Sequence, residues 1–325
     1  MLSRVFNQKP DQRGASRTAR FDWRRYVVYF GFLLLFIFFA ITLRDSGFTS
    51  LNNLLNIVRQ TAIIAVMAVA VTFVISAGEI DLSVGSVAGL ASVTTALALN
   101  QWGLLPGIVV GLLTGALVGG VNGLLVTGIG IPSFLVTLGM LGIANGTAQW
   151  ITNTAPVPIA NDTYNNIFGS GQLGPIPSLL FWMVIMLVAG HVVLRKTPYG
   201  RQVLATGGNA AAARFSGVNT RRIRFLVLTF SGVFAALGGM LYAGRLHSGR
   251  FTVGQGDELS VIAAVILGGT SLFGGAGTVV GTVLGALMIG LINNGLILMG
   301  LEFSQQVIIR GVIIILAVAL ARRDT

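Results

Sequence analysis

The sequence predicts an all-α polytopic membrane protein of about ten transmembrane helices carrying an inverted internal repeat. Three observations carry that reading. The 325 residues are 54% hydrophobic and only 10% charged, with a mean hydropathy of +0.83, where a water-soluble chain would carry about 25% charged residues. The charges cluster, and apolar runs of membrane-spanning length lie between the clusters. A block at 107–120 recurs at 277–290. The short alternating segments of a β-barrel are missing, and the 44 glycines suit close helix packing in lipid.

Residues 1–25 hold seven basic residues against Asp11 and Asp22, which predicts a cytoplasmic tail ahead of a single transmembrane domain at 26–325. The first apolar run, Tyr26 to Leu43, lacks a small-residue cleavage site and reads as a retained span. Predicted spans follow at 57–77, 82–99, 104–126, 131–152, 178–195, 223–244, 259–273, 277–299 and 305–321. Ten spans put both ends in the cytosol. The tail, the loop from Arg195 to Arg224 and the Arg322-Arg323 end then hold 16 of the 21 basic residues on that side. Topology accounts for the +11 net charge without nucleic acid as a partner.

Between spans 5 and 6, residues 153–177 contain four prolines and read as a polar external connection, either a plain surface loop or a landing surface for an external partner. The basic loop at 196–222 carries a short helical pattern. Gly207 and Gly208 break the chain, Asn209 caps, Ala210 to Phe215 forms about two turns, and Gly217 stops it. Either this is a solvated turn or its alanines, among them Ala211, with Arg214 and Phe215, form a contact surface for another chain.

The repeat matches Gly107, Gly111, Gly115 and Gly120 with Gly277, Gly281, Gly285 and Gly290, and Asp81-Leu-Ser-Val resembles Glu258-Leu-Ser-Val. Spans 4 and 9 run in opposite directions, so the repeat is inverted, a plan shared by alternating-access transporters. Asp81 and Glu258 read as caps of the helices that follow them, while Glu79 adds a charge of unassigned role. Asn145, Gln149 and Trp150, and Asn293-Asn294, serve equally as helix-helix glue or as the lining of a sugar path, where amides bind hydroxyls and an indole stacks on a ring. His191 and His247 stand apart without metal-ligand spacing, and no metal or cofactor motif is found. The phosphate-cradling GxxxxGK[ST] is also missing, so ATP chemistry belongs to another chain.

Three stretches carry a family resemblance: GEIDLSVGS at 78–86, TPYGRQVLATGGNAAAARFSGVN at 197–219, and the glycine-rich block at 256–296. They resemble the membrane permease of ribose/xylose/galactose-type ABC importers, from about residue 50 to the end. The family's usual Gly-Ile-Asp is replaced here by Glu79-Ile80-Asp81. The resemblance implies a type II ABC importer-like fold in a bacterial inner membrane, two permease copies or a close paralogue pair among the lipid, a cytoplasmic ATPase of two fused cassettes, and a periplasmic sugar-binding protein. It also implies that the loop from Asn209 to Gly217 is the coupling element. Permeases for branched-chain amino acids or nucleosides share this general plan. An ion-coupled secondary carrier using Glu79, Asp81 and Arg310 would explain the repeat but leave the cytoplasmic helix idle.

Overall fold

The structure, a computed structural model, describes residues 27–321. The basic tail, the Arg322-Arg323 end and the side chain of Arg310 lie outside the described residues. Helices dominate: α1 (Val27–Thr42), α2 (Leu51–Ser76), α3 (Val84–Trp102), α4 (Leu104–Leu124, continued by a π-helical turn at Leu125–Ile129), α5 (Ser133–Thr152), the short α6 (Asp162–Asn165), α7 (Ser178–Lys196), α8 (Pro198–Gly208), α9 (Ala210–Phe215), α10 (Thr220–Leu246), α11 (Asp257–Leu267), α12 (Val279–Leu298) and α13 (Phe303–Ala321). Among the described residues, six of these are long and apolar enough to cross a membrane. α3 matches them in length, but its serines, threonines, Asn100 and Gln101 make it more polar, and it is buried in protein from Val84 to Ala96 apart from the half-buried Thr94.

Nine of the ten predicted spans coincide with a helix. The eighth, 259–273, is different. α11 has only 11 residues, about 16 Å at 1.5 Å each, roughly half the hydrocarbon thickness. The glycines at 268, 269, 274 and 275 end it early, three of them at positive φ. The preceding residues 247–256 are irregular backbone apart from the short strand Ser248–Gly249. Ser248, Gly249, Val253 and Gly254 there are buried, the condition under which non-helical backbone is tolerated at membrane depth.

Helix ends follow local chemistry. Ser50, Thr197, Asn209, Asn219 and Thr278 each accept a hydrogen bond from the backbone N–H three residues on, and Pro198 follows its cap at the first helical position. α10 ends at His247 in the left-handed region, φ 52°.

Contacts between helices show the repeat directly. Gly111, Gly115, Gly119 and Gly123 of α4 meet Met240, Gly232, Leu228 and Phe225 of α10 in that order, so the two run antiparallel. Gly277, Thr282, Gly290 and Asn294, in and just before α12, meet Ser76, Thr72, Thr61 and Asn53 of α2 in the same manner. α2 and α10 are themselves antiparallel, with Gly238 against Met67 and Arg245 bonded to the Arg59 carbonyl. Each half therefore lends its first helix to the other half, with opposite polarity. Where lipid supplies no hydrophobic drive, such approach depends on small residues: at Gly115 a Cβ would collide with the Gly232 carbonyl. A second cluster, Phe39, Phe48, Ile57 and Leu291, docks α1 and the turn after it.

The 153–177 connection folds back onto this core. Val157–Pro158 pairs with Ser248–Gly249, Tyr164 is fully buried with its hydroxyl donating to the Met240 carbonyl at 2.9 Å, and Phe168 stacks between Tyr164 and Trp182.

Candidate coupling element and translocation path

α9 stands where the sequence predicts it, over Ala210–Phe215, with Asn209 Oδ1 accepting from Ala212 N at 2.9 Å and Gly217 at φ +84°. Ala213 turns inward, while Ala211, Arg214 and Phe215 face outward. Phe215 is 94% exposed. A large aromatic ring presented to solvent at the tip of a two-turn helix gives the chain no packing, and such exposure marks contact surfaces.

Gly207 and Gly208 do more than break the chain. They close α8, an 11-residue helix that reading for α9 alone overlooked, although Thr197-Pro198 is a start signal. The Gly207 backbone lies directly on the Ser76 carbonyl at the end of α2 and on Gly274 and Gly275 ahead of α12. Gly275 N–H donates to that same Ser76 carbonyl at 3.0 Å, and Gly78 packs on Gly207. Three chain segments thus meet backbone to backbone. Arg195 adds a further tie, donating to the Gly277 carbonyl at 3.0 Å. Tyr199 of α8 rests between Phe73 and Phe230, and burial pushes its phenol pKa above the ordinary range.

The break at 77–83 joins this junction to α10. Glu79 Oε1 lies 2.9 Å from Arg224 Nε, so the charge that sequence reasoning left unassigned pairs with the N-terminal part of α10. Asp81 Oδ1 accepts from the backbone N–H and the hydroxyl of Ser83, at 2.9 and 2.6 Å. This is an Asx-type turn three residues ahead of the first residue of α3, reinforced by Asn122 Nδ2 donating to the Ser83 hydroxyl at 3.0 Å. Ser133 and Thr137 of α5 hold the Ile80 and Leu82 N–H groups. Glu258 sits in the first turn of α11, and its carboxylate lies against Gly85 at the start of α3. The N-terminal ends of the two repeat-related helices, α3 and α11, meet there.

The path residues divide. Asn145 Oδ1 accepts from Gln149 Nε2 at 3.2 Å and from Gln255 Nε2 at 3.3 Å, while Trp150 is 80% exposed. Gln255 was not singled out from the sequence. Asn294 instead forms a reciprocal amide pair with Asn53, 2.9 Å each way, tying α12 to α2. Asn293, beside it, is half-buried and also engaged. His191 and His247 are far apart in sequence, and the described residues contain no cluster of metal-binding side chains.

Residues 53–318 match the family model described as branched-chain amino acid transport system, permease component. The chain belongs to this permease family. It is 42% identical over 313 residues to the probable ABC transporter permease protein YphD of Escherichia coli, covering 95% of this chain and 94% of that one. It is 40% identical over 297 residues to the ribose import permease protein RbsC of Bacillus subtilis, 90% and 92% of the two chains. The xylose transport system permease protein XylH of Escherichia coli is 32% identical over 371 aligned positions, 95% and 94%. No solved structure gives a significant match. As a permease component the chain is a multi-pass transport subunit, and its partners are those of an ABC transporter.

Proposed function

We propose that this protein is the transmembrane subunit of an ATP-driven importer of a monosaccharide. The sugar reading rests on relatives whose names specify ribose and xylose at 32–40% identity across nearly the whole chain. On this reading the basic face is cytoplasmic, and a separate ATPase, with two fused cassettes, docks on α9 through Phe215, Arg214 and Ala211. A periplasmic binding protein delivers the sugar to the opposite face. A second permease copy completes the path along α5, where Gly139, Gly142 and Gly146 have open space beside them and Asn145, Gln149 and Trp150 offer amide and indole groups to hydroxyls.

The observation that carries the mechanism is the exposed α9 continuing from a helix whose end is packed on both halves of the repeat. Force on α9 reaches Gly207, and through it Ser76 of one half and Gly275 of the other. The nucleotide state then shifts the balance between inward- and outward-open conformers by its different affinity for each. Phe215→Asp, on an exposed position, leaves the permease folded and abolishes recovery of the ATPase on gentle detergent extraction, with uptake lost in sealed vesicles. Full uptake and an intact complex in that variant refute the docking assignment. Retention of the complex with a branched-chain amino acid, and not a pentose, as cargo refutes the sugar.

A further inference from the structure

Beside this junction lies an apolar cavity of about 340 Å³. Phe73 of α2 forms its floor, Ala189 and Val193 of α7 one wall, Leu226 and Phe230 of α10 the other, and the ring of Tyr199 closes the end towards the basic loop. The volume would hold roughly ten waters at ~30 Å³ each, yet a buried water needs two to four polar partners, and the lining presents none. Such a lining suits hydrocarbon and not water. Ala189 and Phe230 on its rim are exposed, and Val188 and Val192 beside them are exposed apolar residues of α7, so the cavity opens sideways to the bilayer.

Cations mark one end. Lys196 follows Val193 by three residues on α7, and Arg222 precedes Leu226 by four and Phe230 by eight on α10. Such spacings place each cation on the same stripe as the wall it follows. Both are exposed, as is Arg201 on α8, and the sequence from 195 to 224 has no acidic residue. An apolar slot of membrane depth that ends in cations at the interface matches an amphiphile with an anionic head. Residues 1–26 are a poor alternative, since their own net positive charge would meet these cations.

We propose that this cleft is a binding site for an acyl chain of an anionic glycerophospholipid, its phosphate at the Lys196 and Arg222 end. Because Tyr199 belongs to α8, a chain in the cleft supports the helix whose end meets Ser76 and Gly275. The site depends only on the membrane setting and not on the sugar or on ATPase docking.

The full chain, purified in mild detergent and equilibrated with mixed micelles of phosphatidylglycerol and phosphatidylcholine in equal amounts, is examined by native mass spectrometry. Each interfacial cation favours an anionic lipid by a factor of about five, so wild type should retain phosphatidylglycerol over phosphatidylcholine by about twenty-five-fold. Ala189→Trp, which fills the slot from its exposed rim, should lose that lipid. Lys196→Gln with Arg222→Gln, both surface changes that leave packing alone, should keep a bound lipid but reduce the preference to near parity. Equal retention of both lipids by wild type, or undiminished phosphatidylglycerol in Ala189→Trp, overturns the site. A photo-reactive residue at position 189 that cross-links to protein instead of lipid also overturns it, by showing the cleft filled by residues 1–26 or by a second copy.

Discussion

The Glu79–Arg224 pair offers the sharpest test of how the break at 77–83 is held. The Glu79 side chain is 8% exposed and that of Arg224 39%. Fully buried pairs lose about 3–5 kcal/mol when one partner is removed, and fully exposed pairs are worth at most ~1 kcal/mol. The exposed guanidinium discounts the first figure, leaving a coupling of about 1–2 kcal/mol. The two single variants should differ. Glu79→Gln frees an arginine that can turn to water, at a cost of ~1 kcal/mol, whereas Arg224→Gln strands a buried carboxylate and costs about 2–3 kcal/mol. The double variant should then be about as stable as Arg224→Gln alone, or more stable. Thermal unfolding of all four proteins in one nanodisc preparation measures this, and 0.5 M salt should leave the coupling largely intact because one partner is shielded. Additivity of the two singles within ~0.5 kcal/mol would show the residues to be independent. Equal effects of the two singles would show that burial of Glu79 does not set the asymmetry.

Three further outcomes follow from close packing. Gly207→Ala places a Cβ on the Ser76 carbonyl and should weaken the junction by about 1–3 kcal/mol, read as faster deuterium exchange in α8 and at 271–277; unchanged exchange would remove the junction from the account. Gly115→Ala, against the Gly232 carbonyl, should destabilise by a similar ~1–3 kcal/mol, while Gly120→Ala, with nothing within 4 Å, should be neutral or gain up to ~1 kcal/mol of helix propensity. Loss in both, or in neither, contradicts the packing. Asn294→Leu breaks the reciprocal pair with Asn53, which keeps its bond to the Phe48 carbonyl, and should lower stability by about 1–2 kcal/mol without altering substrate affinity; a selective loss of affinity instead would return Asn294 to the path.

The class, the helices at nine of the ten predicted spans, the repeat and α9 were legible in the sequence because each rests on local pattern: apolar length, the matched glycines, and the Asn209 cap with its Gly217 stop. α11 was not. Residues 259–273 carry no charge, and hydropathy cannot tell a full span from an 11-residue helix that glycines end early. The amide groups illustrate the second limit. Asn145 and Asn294 look alike in sequence, yet one faces Gln255 and the other Asn53, and only tertiary placement separates them. Glu79 was opaque for the same reason, since its partner lies 145 residues away.

The matched glycines also bear on what the repeat is for. Gly111 and its counterpart Gly281 both press on the chain they follow in the repeat, Thr95 of α3 in one half and Gly268 at the end of α11 in the other, so each half keeps its own tight pair. The exchanged helices α2 and α10 are held by different means: the Thr72–Thr282 and Asn53–Asn294 bonds on one side, and the bare Gly115–Gly232 and Gly119–Leu228 backbone contacts on the other. Hydrogen-bonded pairs fix register, because a one-turn slip leaves buried donors unsatisfied, whereas glycine contacts resist approach but carry no directional bond. A rocking motion between the halves should therefore slide at the α4–α10 contact and pivot at α2–α12. Double electron–electron resonance between labels on α4 and α10, and between labels on α2 and α12, in the nucleotide-free and ATP-trapped complex would reveal it. The distance distribution should move between states for the first pair and hold for the second, and the reverse pattern would place the pivot at the glycines.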